Sequence, residues 1–174
     1  MPPLRVLLLF PCLGLAACAA TPAPQGLAMP APHETRAASL LAGYLLGRGW
    51  TVALAEDRLV VAARGAERLE LEPLLDASGL DRIIVWRSWP AEPGADPAAL
   101  AALALELNAI LNVGQFQAGA DELRFQSSLP FLDVLEPRLL DAYLEHTARV
   151  RLAVLRVQGE RELLAPVEDD PPDR

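Results

Sequence analysis

Lysine is absent from the 174-residue chain, so all 15 basic side chains are arginine. Acidic residues number 23 and the formal net charge is −8. An acidic chain without a basic stripe argues against nucleic acid as a partner. It also argues against a charge-driven hold on anionic lipid. Cysteine occurs twice, at Cys12 and Cys18, too sparsely for a disulfide framework. Histidine also occurs twice. His33 falls in a proline-rich stretch, and His146 in a helical pattern without ligand partners or an orienting carboxylate at a known spacing. Neither suggests a metal or catalytic role. The serines lie outside any Gly-x-Ser-x-Gly elbow, and no glycine-rich phosphate loop occurs. No catalytic residue, metal ligand or cofactor site is therefore expected. The acidic run Glu168-Asp169-Asp170 reads as solvated.

The longest apolar run, Val6 to Leu15, falls short of the roughly 20 residues needed to span a bilayer. It follows the single charge Arg5 and ends in small residues, the order of a secretory signal. The break reads Leu15-Ala16-Ala17-Cys18. This resembles the bacterial lipobox, in which the cysteine thiol takes a diacylglyceryl group and cleavage precedes it. The resemblance implies a signal peptide at 1–17 and a lipidated Cys18. The alternative is an ordinary signal peptide with a chance cysteine. Cys12 would leave with the signal, so no disulfide would remain.

Residues 19–33, AATPAPQGLAMPAPH, carry four prolines and no apolar period, as expected of a semi-extended tether. Multiple acyl chains anchor stably where one does not. Lipoproteins retained at the inner membrane often carry Asp after the cysteine. Ala19 stands there in this chain, which implies the outer membrane, with the domain facing the periplasm. Residues 34–165 have the size of one domain, and 166–174, PVEDDPPDR, read as an acidic disordered tail.

Within the domain, Leu41, Tyr44, Leu45 and Arg48 follow a helical period, with Thr35 as a candidate cap and Gly47 and Gly49 as terminators. Residues 50–63 alternate around Glu56-Asp57 as a hairpin. ERLELEP alternates again, and 73–81 read as a loop. RIIVWRSWP, residues 82–90, is apolar on both faces, which predicts a central strand covered on both sides. In ADPAALAALALELNAILNVG, Asp96 is an N-cap and Pro97 the first helical residue. Leu100, Leu103, Leu107, Ile110 and Leu111 form its stripe, and Gly114 ends it. Two strands follow around Gly119. A last helix from about Glu136 to Gln158 presents Leu140, Tyr143, Thr147, Val150 and Val154 inward, with Gly159 as its cap. Ile84, Trp86, Leu103, Leu107, Leu111 and Phe125 are the expected core. Arg149, Arg151 and Arg156 are read as cations near a helix C-terminus.

The resulting class is α+β. An antiparallel sheet of about five strands is packed by three helices in the order α-β-β-β-α-β-β-α. That order, with Asn108 in the second helix, Gly114 six residues later and then Phe116, resembles the YbjN-like and type III secretion chaperone-like fold. Residues 65–81 depart from it by being longer than a simple hairpin. The resemblance implies a protein-binding or chaperone-like module, often dimeric, with no catalytic residues to carry over. A homodimer or an unknown protein partner is thus expected, with Trp89, Arg87 and Leu105 as the candidate interface, since aromatic residues and arginine are enriched at interfaces. Trp89 shares a strand face with Arg87, which places it at a wet rim or, alternatively, in the core. An enzyme with an unrecognised site and a small-ligand carrier are the competing readings.

Overall fold

The computed structural model describes residues 26–29, 33–55, 58–76 and 80–166. The signal-like segment, Cys18 and the tail beyond Pro166 lie outside them. The elements are β1 (Leu27–Ala28), α1 (Glu34–Gly47), β2 (Thr51–Ala55), β3 (Leu59–Arg64), β4 (Glu67–Leu74), β5 (Asp81–Pro90), α2 (Pro97–Ile110), β6 (Gln115–Ala118), β7 (Glu122–Phe131), β8 (Val134–Leu135), α3 (Pro137–Ala148) and α4 (Val150–Gln158). Six strands pair antiparallel in the order β2-β3-β4-β5-β7-β6, and β1 pairs with β8 in a separate ribbon. The class is the expected α+β. The sheet gains a strand because ERLELEP pairs on both sides, with β3 through Leu71 and with β5 through Leu74. Pro73, expected to open a loop, lies inside β4.

All four described helices pack on one face of the sheet. Along β5, Ile83, Val85, Arg87 and Trp89 point into that layer and are buried. Among the described residues the opposite face carries no helix, which corrects the expectation of cover on both sides. There Ile84 is buried between its cross-strand neighbours Glu72 and Ser128. Trp86 is half-buried under Arg124, whose guanidinium lies 5.5 Å from the indole centroid. Arg124 reaches Glu70 at 3.4 Å, and Arg58 reaches Glu72 at 2.7 Å. Charged side chains therefore shield a face that its β5 residues alone would mark as apolar, since long stems cover apolar surface while their heads stay wet.

The helices match their sequence signals in part. Asp96 accepts a hydrogen bond from Ala98 N at 3.0 Å and Pro97 opens α2. Leu100, Leu103 and Leu107 are buried, whereas Ile110 is exposed and Leu111 only partly buried. At α1 the cap position is His33, without a side-chain bond, and Thr35 lies inside the helix. The last helix is two segments. At the joint, Arg149 N bonds back to His146 O at 3.1 Å, and buried Thr147 donates to Leu144 O at 3.0 Å. Such hydroxyl back-bonding bends helices. Its inner face is as expected: Leu140, Thr147, Val150 and Val154 are buried and Tyr143 partly so. Gly159 follows with φ +56.

The ends of the domain are tied in. Met29, within the expected tether, is buried in the core, and its N–H bonds to Asp133 O at 3.2 Å. Beyond α4 the chain returns to β5: Glu92 N bonds to Leu163 O at 2.9 Å and Ala165 N to Pro90 O at 2.9 Å. Arg161 forks both oxygens of Glu106, at 3.0 and 2.8 Å, joining this return segment to α2.

The core is divided. One cluster packs α1 and α3 on β3, β4 and the near ends of β5 and β7. The other packs α2, α4 and Leu163–Leu164 on β6 and the far ends of β5 and β7. Strands β5 and β7 and the α3–α4 pair cross from one cluster to the other, and each crossing carries a buried polar residue. Arg87 stands between Val85 and Trp89, Ser127 between Leu129 and Phe125, and Thr147 between Leu144 and Val150. A polar seam thus runs between two apolar halves.

Candidate functional site

The geometry of the second half follows from three residues in the α2–β6 connection. The Asn108 amide donates to Phe116 O at 2.9 Å and accepts from Phe116 N at 2.7 Å. This clamp closes the edge strand β6 onto α2. Between them Gly114 lies so close to Phe125 and Gln126 that a Cβ would sit 2.5 Å from the Phe125 ring and from Gln126 O. Only glycine permits that approach. Its role is therefore close packing, since α2 already ends at Ile110. The clamp seats Phe116 between Trp89, 6.1 Å away between centroids, and Phe125, 5.0 Å away.

That aromatic row fixes where Trp89 goes. It is 5 % exposed and Arg87 is 4 % exposed, so neither forms the exposed patch expected of them. The physical reason is α4, which covers this end of the sheet. Leu105 is exposed at 70 %, as its position off the α2 stripe implied. The three residues do not make one common surface.

The surface that does assemble lies along the outer side of α4. Leu152 and Leu155, one turn apart, are 65 % and 51 % exposed. Leu155 borders an open cleft of about 450 Å³, lined by Trp89, Glu92, Arg151, Gln158 and Leu164, with Pro166 at its end. Leu152 borders a second cleft of about 300 Å³, lined by Glu67, Glu145, Ala148, Arg149 and Arg151. Arg151 belongs to both clefts, so they are neighbours across one side chain. Arg149 is occupied by Glu145 at 3.3 Å. Sequence reasoning read Arg149 and Arg151 as mere helix-end cations and overlooked the two leucines. The available signal was their position off the inner face of Leu140, Thr147, Val150 and Val154.

Polar groups in the seam are mostly satisfied. Ser127 Oγ donates to Val113 O and shares a hydrogen bond with Tyr143 OH. Burial pushes the Tyr143 phenol above its ordinary value, and the Ser127 bond partly opposes this. Arg87 is the exception: its Nε and Nη2 are buried without a hydrogen-bond partner. Burial pushes its guanidinium below the ordinary arginine value, Glu67 opposes that shift, and Arg151 adds to it. His146 is exposed. No group of three or more potential metal ligands is found among the described residues. No described helix is long and apolar enough to cross a membrane.

This architecture is a one-sided α+β layer with an open cleft of mixed polar and apolar lining beside its last helix. No family model matches the chain, and no curated protein is similar to it in sequence. Among solved structures it is similar to YbjN from E. coli, described as a candidate transcription regulator. The TM-score is 0.55 at 14 % identity, over 74 % of this chain and 95 % of that one. At that identity the likeness is one of fold. It supports the YbjN-like reading of the sequence.

Proposed function

We propose that the chain is a non-catalytic protein-binding module, chaperone-like in use, held by a lipid on Cys18 to the periplasmic side of the outer membrane. The observation that carries the binding part is the α4 face, where Leu152 and Leu155 stand exposed between two clefts that share Arg151. Singly exposed leucines are ordinary, but apolar groups one turn apart beside a cleft suit an apolar anchor ringed by charge. The lipid part is supported by the lipobox and the proline-rich stretch behind it. The transcription role is a description of YbjN alone. The net charge of −8 here favours a protein partner over nucleic acid. Self-association belongs to the same proposal, through exposed Leu105 and Ile110 on α2.

A second reading, a small-ligand carrier, draws on the cleft of about 450 Å³, a size within the range of small-molecule sites. Photocrosslinking separates the two. A photoreactive residue at 155 should give a defined protein adduct in intact cells, while one at Ser88, exposed at the sheet, should not. Equal adducts at both positions, or none at 155, would reject the α4 face as the binding surface.

A further inference from the structure

The link between Cys18 and the fold is shorter than residues 19–33. Leu27 and Ala28 already pair with Leu135 and Val134. Met29 is buried, and its N–H bonds to Asp133 O at 3.2 Å. Gly26 lies so close to Val134 that a Cβ there would overlap its side chain. The chain therefore enters the fold at the β1–β8 ribbon. Gly26 is the eighth residue after Cys18, so a lipid on that cysteine would keep the ribbon within about 29 Å of the bilayer even at full extension. That end of the domain exposes apolar side chains. Leu132 follows β7 directly, Val134 lies in β8, and both are exposed. A tight turn at Asp133, with φ +53 and a bond from Val134 N to Leu132 O, presents the two. Phe131 pairs with Asp81, the first residue of β5. Leu80, just before it, is exposed as well. Leu80 and Leu132 thus continue two neighbouring strands past the same end of the sheet.

We infer that Leu80, Leu132 and Val134 form a docking surface for the phospholipid bilayer to which Cys18 ties the chain. The inference rests on the lipid reading of Cys18 and goes beyond it by orienting the domain. The net charge of −8 gives no hold on anionic head groups, so the contact is apolar. A weak contact suffices, because a short link keeps the surface at high effective concentration beside the membrane. Leu152 and Leu155, equally exposed, have no such link beside them. Trp89 pairs with Leu123, at the opposite end of β7 from Leu132. The ten residues of β7 span about 30 Å. The cleft that Trp89 and Leu155 line therefore stands at the far end of the sheet, open to a partner while the ribbon end rests on lipid.

Coupling through the thiol tests the surface. The chain from Cys18 onward holds every described residue and a single cysteine. It can therefore be joined to a maleimide-bearing lipid in vesicles of phosphatidylcholine and phosphatidylethanolamine. A photoreactive residue at 132 should give lipid adducts at least fivefold above those at 155 or 88. Leu80→Glu with Val134→Glu should bring the yield at 132 down to that background. Leu80→Glu alone should lower it several-fold, which keeps the test valid if the double variant fails to fold. Lengthening the link by about 30 glycine and serine residues after Ala20 should also lower it several-fold. Equal lipid adducts at 132 and 155, a yield indifferent to Leu80→Glu, or an adduct at 132 to a second copy of the chain would overturn the surface. The vesicle anchor is synthetic, so these outcomes are separate from the lipid reading itself, which fails if cells place no acyl label on Cys18.

Discussion

Removing the Asn108 amide should loosen the whole second half of the domain. Asn108→Ala deletes two hydrogen bonds, at 2.9 and 2.7 Å, and leaves the N–H and C=O of Phe116 without their partner. Each bond is worth about 1 kcal/mol net, and a buried group left unmatched costs about 1–3 kcal/mol. Phe116 is buried and β6 is an edge strand, so only its pairing with β7 would remain. Partial relief by water at that edge brings the expected cost to about 2–4 kcal/mol. Asn112→Ala, at an exposed position four residues on, is the control and should stay within about 0.5 kcal/mol. Urea denaturation read by tryptophan fluorescence suits the case, because Trp89 stacks on Phe116. The midpoint should fall with the slope unchanged. If Asn108→Ala melts with Asn112→Ala, the clamp does not hold the edge strand and its link to the aromatic row is wrong.

Four other perturbations have definite outcomes. Arg87→Met should raise the urea midpoint, since replacing buried ionic groups by apolar ones of similar volume often gains about 1–4 kcal/mol; a lower midpoint would mean that Arg87 has a compensating partner in solution. Leu107→Ala should cost about 2–5 kcal/mol, while Leu105→Ala on the same helix stays within about 0.5 kcal/mol; equal effects would contradict the assigned faces. Burial raises the Tyr143 pKa above 10.0, so its protonated form is favoured by folding. That contribution is intact below the unfolded tyrosine value and is lost as pH rises through the folded one. Alkaline titration of stability should therefore flatten in Tyr143→Phe, and an unchanged profile would refute the assignment. Cys18→Ser should abolish acyl incorporation in metabolic labelling; normal labelling would place the lipid elsewhere or nowhere.

The legible parts of the fold were those with local chemistry behind them. Asp96-Pro97 announced α2 because a cap and a proline act within one turn. The inner face of the last helix follows from its period, although no period reveals the break at Arg149, beside the buried Thr147 hydroxyl bond to Leu144 O. Asn108, Gly114 and Phe116 stand out together only through a resemblance, and the fold supplies the reason: a clamp, a close approach and a stacked ring. Trp89 and Arg87 were misplaced because burial at the far end of β5 is decided by α4, more than sixty residues later in the chain. The apolar run of β5 misled in the other direction. Ile84 and Trp86 are covered by Arg124, Glu70 and Glu72 from neighbouring strands, and cross-strand cover of this kind is invisible along a single segment.

The central claim is that the α4 face binds protein while the core behind it stays fixed. A double change, Leu152→Glu with Leu155→Glu, tests it most directly. Both side chains are exposed, so the urea midpoint should move by no more than about 1 kcal/mol in total. In the same cells the partner should be recovered by a photoreactive residue at Ala148, in the wall of the second cleft, from the unaltered chain and not from the double variant. An adduct of undiminished yield in a folded double variant would contradict the account.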